Sequence, residues 1–333
     1  MIIAKTPYRI SFFGGGTDFP EWYKNNKGKI ISTSINYFSY IQIKNLPDIF
    51  DYKYRLRYFL REEVNRIADI KHPVIREALK YFKHNKQGLD IIHSGDLVAR
   101  SGIGSSSSFT VGFLHAFCEY KNIKISKRKL ADLAIKFEQI ILKEHVGSQD
   151  QIIAAYGGFQ IINFKNKKFN CTKLKLKKKK IKLLESSVQL FYTGIQRSAQ
   201  ILEKKKILSV YKKQKYYNKI YNIACEAEKV FLSNNNKNFI SKIGNLLNLQ
   251  WTLKKKLAMG VTNDSIDRAY NIALKNGAIG GKLCGAGGGG FLLFVTPKRY
   301  QKKVSKYVNL PEVLVKFGEE GSKIIFNHNK KQL

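Results

Sequence analysis

The sequence predicts an α+β protein of two lobes. Strand-like and helix-like segments alternate through the first half of the chain, whereas long helical segments dominate the second half. A glycine-rich strand pair is expected at 279–296. The chain has 333 residues, 44% of them hydrophobic, which is enough for two globular domains or one large one. We place an N-terminal domain at 1–187 and a C-terminal domain at 188–333.

Hydrophobic periodicity locates the individual elements. Short apolar or alternating segments predict strands, and apolar residues that recur every three to four positions predict helices. The predicted strands are 1–13, 28–45, 89–93, 159–163 and 188–192, and the predicted helices are 72–84, 129–144, 199–233, 237–258 and 264–276. A further helix is expected behind the serines at 105–108, and a βαβ-like tail after residue 296.

The net charge of +36 is the most unusual bulk property of the chain. It invites a nucleic-acid-binding interpretation, and lysines are dense at 173–182. However, aromatic residues are not interleaved with this run, as a surface that stacks single-stranded bases requires. We attribute the charge to solvated positions and a polyanionic substrate, and we expect no nucleic-acid partner. The lysine run itself is predicted to form an exposed hairpin or sheet edge.

The cysteines and apolar segments indicate a cytoplasmic protein. The four cysteines lie far apart in the sequence, form no metal-ligand pairs and suit a reducing compartment. No apolar run approaches the ~20 residues of a membrane span, and the first residues lack the apolar core of a signal peptide. We therefore expect no membrane partner. Nothing in the sequence indicates an oligomeric state.

The segment from Gly95 to Phe117 is the most informative part of the chain. An apolar strand is followed by Gly102-Ile-Gly104, by the serines 105–108 and by a helix with one apolar face. Glycines let the backbone approach a ligand, free N–H groups at a helix start bind anions, and hydroxyls can hold Mg²⁺. The order of residues in this segment matches neither the P-loop motif nor the dinucleotide-binding motif. The segment predicts a nucleotide-phosphate site, with an ordinary capped helix as the alternative.

A second glycine-rich segment lies near the start of the chain. Arg9 belongs to the first strand, and three consecutive glycines at 14–16 follow it, with Asp18 close behind. Such a run indicates that the backbone itself lines a site, and a carboxylate beside it can accept hydrogen bonds from ligand hydroxyls. A glycine-rich turn with an Asx cap is the alternative interpretation.

Two carboxylates point to phosphoryl transfer. Glu138 lies at the edge of an apolar helical stripe, an unusual place for a carboxylate unless it meets a cation, and Asp150 follows that helix. Transfer of a phosphoryl group to an alcohol needs one carboxylate on Mg²⁺ and one facing the acceptor hydroxyl. A salt-bridging pair on the surface is the alternative.

A third glycine-rich segment spans 280–290 and leads into the apolar strand 291–295. A flexible linker would be polar and would lack these apolar residues. We therefore expect a tight backbone turn that packs on another loop or on a ligand.

Together the three segments resemble the motifs of GHMP small-molecule kinases. They read KTPYRISFFGGGTD, RSGIGSSSSFTVGF and GGKLCGAGGGGFLLF, and their order and spacing cover nearly the whole chain. The resemblance implies an N-terminal lobe like that of a ribosomal small-subunit protein and a ferredoxin-like C-terminal lobe. It also implies a kinase that uses ATP and Mg²⁺.

Within this superfamily the chain looks most like the bacterial D-glycero-D-manno-heptose 7-phosphate kinases. The resemblance rests on Gly-Gly-Gly-Thr-Asp, the serine quartet, Gln-Asp-Gln at 149–151 and YTGIQR at 192–197. It implies transfer to the anomeric O1 of a heptose 7-phosphate, on a route to nucleotide-activated heptose for surface glycans. A fucokinase- or galactokinase-like enzyme for an unphosphorylated sugar is the alternative. Outside this class, a nucleic-acid-binding protein that has lost catalysis also remains open.

The resemblance further implies roles for individual residues. Those that would bind the ATP phosphates belong to the glycine–serine loop: Gly102, Gly104, Ser105, Ser106 and Ser107. Ser106 and Glu138 would ligate Mg²⁺. Asp150 would accept or orient the proton of the anomeric hydroxyl, and Arg9 would stabilise charge on the transferring phosphoryl group.

The acceptor sugar phosphate would lie on the other glycine segments. The implied sugar-binding residues are Gly14, Gly15, Gly16, Asp18 and Gly287. The sequence does not determine which residues bind the 7-phosphate. Arg197 is the candidate, and a contact between Arg197 and ATP is the alternative.

Overall fold

The computed structural model describes residues 1–85, 87–196, 199–235 and 237–328. Its strands are β1 (Ile2–Phe13), β2 (Gly28–Leu46), β3 (Tyr54–Arg57), β4 (Arg61–Val64), β5 (Gly88–Gly95), β6 (Phe159–Lys165), β7 (Lys168–Lys173), β8 (Val188–Tyr192), β9 (Gly280–Leu283), β10 (Phe291–Val295), β11 (Glu312–Val313) and β12 (Lys323–Asn327). Its helices are α1 (Pro20–Tyr23), α2 (Pro73–Tyr81), α3 (Ser105–Tyr120), α4 (Lys127–Lys136), α5 (Gln149–Tyr156), α6 (Lys178–Glu185), α7 (Ala199–Leu208), α8 (Gln214–Leu232), α9 (Phe239–Lys255), α10 (Asp264–Lys275) and α11 (Lys298–Val308).

The first sheet is organised around the long strand β2. Over the described residues the strand order is β12-β1-β2-β5-β3-β4, and β6 joins through β2 and carries β7. The first part of β2 pairs with β6 and the second part with β5, both antiparallel, while β1 runs along the other edge. Because β12 pairs with β1, the chain returns to the first sheet after completing the second one.

The second sheet has the order β11-β8-β10-β9, and its strand pairs are antiparallel. Numbered along the chain these four strands lie in the order 4-1-3-2. Helices α7–α10 connect the first strand to the second, and α11 connects the third to the fourth. This is the split βαβ arrangement of ferredoxin-like folds. The predicted α+β fold of two lobes, including the glycine-rich strand pair, is confirmed.

Helix α3 fixes the position of the glycine–serine loop. Its side chains Phe113, Leu114 and Phe117 are fully buried in the core on the first sheet. Burial of such an apolar face stabilises the helix against the sheet and sets its orientation. The N-terminus of α3, at Ser105, is thereby held at the boundary between the two lobes.

The helix predicted at 129–144 is interrupted. Regular α4 ends at Lys136, and a π-helical turn covers Phe137–Ile141. The helix predicted at 199–233 is divided into α7 and α8. The predicted domain boundary at residue 188 coincides with the start of β8 and stays a prediction. Among the described helices none has both the length and the apolar character that crossing a bilayer requires.

The lysine run at 173–182 was wrongly predicted as an exposed hairpin or edge. Only its first residue belongs to β7, and its second half, 178–182, lies within α6. Lys180 is buried, and its ammonium group donates hydrogen bonds to the carbonyls of Val230, Phe231 and Ser233. These carbonyls lie at the C-terminus of α8, where acceptors lack partners within the helix and a positive charge is favourable. The neighbouring lysines of the run are exposed.

Candidate active site

A cavity of about 780 Å³ lies where the three glycine-rich segments meet. The glycine–serine loop and the start of α3 form one wall, the loop after β1 forms another, and the segment before β10 forms a third. The sequence-predicted residues that line it are Arg9, Gly15, Gly16, Asp18, Gly102, Gly104, Ser105, Ser106, Ser107, Glu138, Asp150 and Gly287. The structure therefore brings the three segments into one site.

The glycine–serine loop opens directly onto this cavity. Gly104 precedes α3 with a φ of 77°, a left-handed conformation that favours glycine, and no side chain in the described part of the chain caps the helix. The first N–H groups of α3 are consequently free to bind an anion. Gly102 packs so closely on the third segment that a Cβ on Gly285 would lie 2.4 Å from the Gly102 Cα. The two loops can approach this closely because neither carries a side chain here.

Arg9 and Asp150 form a bidentate ion pair in the cavity wall. Arg9 Nε donates to Asp150 Oδ1 over 2.7 Å and Nη2 donates to Oδ2 over 2.6 Å. The third guanidinium nitrogen donates to the Gly102 carbonyl over 2.8 Å, so Arg9 also fixes the backbone of the glycine–serine loop. The Arg9 side chain is 6% exposed and that of Asp150 is 24% exposed. A carboxylate held in this way keeps lone pairs directed at the cavity and can orient a substrate hydroxyl.

Glu138 is a buried carboxyl group with one unused oxygen. Its Oε2 accepts hydrogen bonds from Ser107 Oγ, over 2.9 Å, and from the Gln151 amide, whereas Oε1 is buried and has no partner among the described residues. Burial is the main reason why the pKa of Glu138 is raised to about 8. Ser106, which precedes Ser107 in α3, is exposed and lines the same cavity.

This donor set fits Mg²⁺. The ion is commonly held in proteins by one or two carboxylates together with substrate phosphates and water. A carboxyl oxygen without a partner among the described residues, beside serine hydroxyls and a helix start with free N–H groups, is compatible with such a set. Within the described ranges no group of three or more His, Cys, Asp or Glu side chains forms a metal site on its own. The magnesium role of Ser106 and Glu138 stays a prediction.

Asp18 is held at the opposite side of the cavity by the loop after β1. Its Oδ1 accepts from the Gly16 N–H over 2.9 Å, and its Oδ2 accepts from the Gln149 side chain over 3.0 Å. Burial, with repulsion from Asp150 next in size, raises the pKa of Asp18. Gly15 and Gly16 face the cavity, whereas Gly14 donates its N–H to the Gln250 side chain. The sugar-binding roles of these residues stay predictions, and Arg197 lies outside the described residues.

Sequence reasoning missed several charged residues of the same cavity, among them three buried lysines and a glutamate. Lys206, Lys254 and Lys282 line it and are 2–6% exposed, and Glu203 lies 2.6 Å from the Lys206 ammonium group. Their sequence signal was weak because the chain contains 60 lysines and arginines. The apolar helical stripe around Lys254 was the one available sign that a lysine there points inward.

The far end of the cavity is aromatic. His72 stacks on Phe109 with ring centres 4.3 Å apart, and Tyr58, Phe59 and His93 also line this end. Burial lowers the pKa of both histidines to about 4, so both are neutral at pH 7. An aromatic compartment with two neutral histidines, which Lys71 also lines, has the character of a site for a planar base.

Comparison with known proteins agrees with the motifs. The family model "GHMP kinases N terminal domain" matches residues 73–158, and "GHMP kinases C terminal" matches residues 231–311, together about half of the chain. The chain is 29% identical over 304 residues to the D-glycero-alpha-D-manno-heptose 7-phosphate kinase of Campylobacter jejuni. The aligned residues cover 88% of this chain and 88% of the relative. It is 25% identical over 327 residues to the mevalonate kinase of Methanocaldococcus jannaschii, covering 94% of this chain and 98% of the relative.

Solved structures share the fold over nearly the whole chain. A D-glycero-D-manno-heptose 1-phosphate kinase from Bacteroides thetaiotaomicron has a TM-score of 0.79 at 22% identity and covers 98% of this chain and 100% of its own. The galactokinase of Lactococcus lactis complexed with galactose has a TM-score of 0.74 at 16% identity. The superposition covers 97% of this chain and 94% of the galactokinase. At these identities the likeness concerns the fold.

Proposed function

This chain belongs to the GHMP kinase family, and we propose that it phosphorylates the anomeric O1 of D-glycero-D-manno-heptose 7-phosphate with ATP. The reaction class follows from the family, and the sugar is the one that the C. jejuni relative is named for. The product, a 1,7-bisphosphate, would serve the synthesis of nucleotide-activated heptose. We place the enzyme in the cytoplasm, where ATP is available.

The proposal rests mainly on the arrangement of two different sets of residues around one cavity. One set suits a nucleotide and the other suits a charged acceptor. A helix start with free N–H groups and serine hydroxyls lies beside Glu138, next to an aromatic compartment, as ATP requires. The Arg9–Asp150 pair follows, and beyond it the cavity is lined by Asp18 and the buried lysines. A polar acceptor that carries its own negative charge suits this second half.

Asp150 would prepare the acceptor for attack. A hydroxyl that donates its hydrogen bond to Asp150 is oriented toward the phosphate loop, and Asp150 takes the proton as the oxygen bonds to phosphorus. The bond between that phosphorus and the ADP oxygen breaks, and ADP leaves with the electron pair. Arg9 holds Asp150 by two hydrogen bonds and presents positive charge to the transferring group. Mg²⁺, when bound at Glu138 and Ser106, would neutralise charge on the phosphates.

A panel of sugars tests the substrate directly. ADP release should be measured with heptose 7-phosphate, the free heptose, fucose, galactose and mevalonate. We expect kcat/KM for heptose 7-phosphate to exceed that for the free heptose by ~10²-fold or more, which one or two charge-assisted contacts can provide. The position of the new phosphate follows from phosphorus NMR of the product. Equal turnover of the free and the phosphorylated heptose would contradict the assignment, and preferred turnover of fucose or galactose would replace it.

The role of Asp150 is tested by Asp150→Asn. The amide keeps an acceptor for Arg9 but cannot take a proton, so we expect kcat to fall by ~10²–10⁴-fold. The dissociation constant for ATP, measured by calorimetry, should change less than about threefold, because Asp150 lies outside the phosphate loop. A variant whose kcat stays within threefold of the wild type would remove Asp150 from proton transfer.

A further inference from the structure

Three lysines of the cavity are buried without a full complement of carboxylates. Lys206, Lys254 and Lys282 come from three different elements, α7, α9 and β9, and each is at most 6% exposed. Burying an ammonium group is costly unless it is paired or hydrogen-bonded. A fold that directs three of them to one cavity wall therefore needs an explanation.

The hydrogen bonds of these lysines go mainly to backbone carbonyls. Lys254 donates to the carbonyls of Leu283, over 3.3 Å, and Gly285. Lys282 donates to the carbonyl of Ser11 over 2.6 Å and makes a longer contact to that of Phe12. These carbonyls belong to the strands and loops of the first and third glycine-rich segments. Lys282, which belongs to the third segment, thus links it to the first, whereas Lys254 holds the third segment to α9, and both line the cavity.

Lys206 differs from the other two because it has a carboxylate partner. Its ammonium group lies 2.6 Å from Glu203 and donates to the carbonyl of Ala286 over 3.1 Å. Asp18 is the other carboxylate on this side, and its oxygens already accept from the Gly16 N–H and from Gln149. Among the described residues on this side, three buried lysines thus lie beside two carboxyl groups, Asp18 and Glu203, whereas Arg9 and Asp150 pair with each other.

We propose that Lys206, Lys254 and Lys282 form the binding site for the phosphate group of the acceptor substrate. The inference rests on the proposed function, because it concerns an acceptor that already carries a phosphate. Phosphate offers several acceptor oxygens to ammonium groups converging from different directions, and charge-assisted hydrogen bonds of this kind are among the strongest in proteins.

The position of the lysines separates this site from the one for nucleotide phosphates. The lysines lie on the side of the cavity that holds Asp18 and Phe19, and the Lys206 ammonium group is 5.6 Å from the centre of the Phe19 ring. The glycine–serine loop, to which Arg9 donates a hydrogen bond, offers the free N–H groups at the start of α3 to the nucleotide phosphates instead. Burial lowers the pKa of Lys282 to about 8, and a bound phosphate would favour its charged form.

The experiment compares heptose 7-phosphate with free heptose in matched variants. Lys206→Gln and Lys254→Gln keep hydrogen-bonding capacity but remove the charge. We expect each to lower kcat/KM for heptose 7-phosphate by ~10-fold or more, since a charge-assisted contact is lost. The kcat/KM for free heptose and the KM for ATP should change less than about threefold. Lys180→Gln is the control, because Lys180 is buried and bound by carbonyls but does not line the cavity.

Glu203→Gln gives a test with the opposite sign. It releases Lys206 from its carboxylate, so the preference for heptose 7-phosphate over free heptose should increase rather than decrease. A purely structural role of these residues would not produce opposite changes. Should Lys254→Gln fail to fold, as judged by circular dichroism, the Lys206 and Glu203 variants decide the matter by themselves.

Two failures can be told apart. If the wild-type enzyme does not distinguish the two sugars, the proposed substrate is wrong, and the phosphate site falls with it. If the wild type prefers heptose 7-phosphate and the lysine variants keep that preference, only the assignment of the lysines is overturned. A rise in the KM for ATP without a change in sugar preference would also overturn it and would place the lysines at the nucleotide.

Discussion

Burial of Glu138 makes its contribution to the stability of the fold depend on pH, and a bound metal ion would remove this dependence. Its pKa is raised to about 8 because the carboxyl group is buried, whereas the same group in the unfolded chain titrates near its usual value of 4.5. Between these two values the folded protein holds a proton that the unfolded chain has lost. The contribution of Glu138 to stability therefore falls as pH rises from 4.5 to 8.

Glu138→Gln should reveal this dependence. The variant cannot ionise, so its stability relative to the wild type should improve from pH 5 to pH 8, by at most about 1.4 kcal/mol per pH unit. Urea unfolding in the presence of EDTA at both pH values measures the difference. The variant should also need more Mg²⁺ for half-maximal activity, with little change in the KM for the sugar. A stability difference that is the same at both pH values, or an unchanged Mg²⁺ requirement, would contradict this role.

At the residue scale the sequence predicted those side chains whose surroundings were unusual. Glu138 stood out because a carboxylate at the edge of an apolar stripe needs a partner, and the structure buries it beside Ser107. The partner of Arg9 could not be predicted, because 141 residues separate it from Asp150. Lys254 and Lys282 were missed because the direction of a lysine side chain depends on tertiary packing, which its residue type does not reveal.

At the scale of elements, the contact between two glycine loops determines the shape of the proposed phosphate site. Gly285 has a φ of 67°, and a Cβ there would collide with Gly102. Gly285→Ala should therefore push the glycine–serine loop away, raise the KM for ATP, and lower the free energy of unfolding by more than ~2 kcal/mol.

Gly194→Ala is the matched control for this prediction. Gly194 has a similar φ of 73°, but no atom of the described residues lies within 4 Å of the position that a Cβ would take. Only the cost of the left-handed backbone remains, ~1 kcal/mol, and the KM for ATP should stay unchanged. Thermal unfolding and initial rates at varied ATP measure both effects. Equal losses in the two variants would show that the contact between the loops is unimportant.

Helix α6 provides a second test at this scale, because one lysine run contains both buried and exposed members. Lys180→Met should lower the free energy of unfolding by ~1–3 kcal/mol, since three carbonyls lose their donor. The control variant replaces four exposed lysines by Gln: Lys175, Lys177, Lys178 and Lys179. Its free energy of unfolding should hardly change, and its kcat/KM should stay within a fewfold of the wild type at ~150 mM salt. A larger catalytic effect of the exposed lysines would place the run near the substrate path.

The elements themselves were predictable to different degrees. Strands β1, β2 and β5 and helix α3 follow from regular apolar patterns, and the structure has them close to the predicted ranges. Helix α6 was missed because its periodicity is masked by lysines, one of which turns inward to cap another helix. The π-helical turn at Phe137–Ile141 carries no sequence signature, yet it sets the position of Glu138.

At the scale of the whole molecule, the two sheets meet at the cavity and the charge surrounds it. The net charge of +36 is far larger than a single substrate site requires, and most lysines outside the cavity are exposed. Such a field attracts anionic ligands over a distance that salt shortens to ~8 Å at physiological ionic strength. The charge should therefore affect the rate of substrate capture, whereas the buried lysines should determine which sugar is bound.

This division of roles predicts a specific salt dependence. From ~20 to ~150 mM salt, kcat/KM for heptose 7-phosphate should fall severalfold, while kcat itself and the kcat/KM for free heptose should hardly change. Stopped-flow and steady-state rates at varied NaCl measure this, with potassium glutamate as a control for specific chloride effects. The same surface should bind random-sequence RNA at low salt but release it by ~150 mM, without inhibiting the kinase. RNA that still binds and inhibits at that salt would mean that the charge serves a nucleic-acid partner.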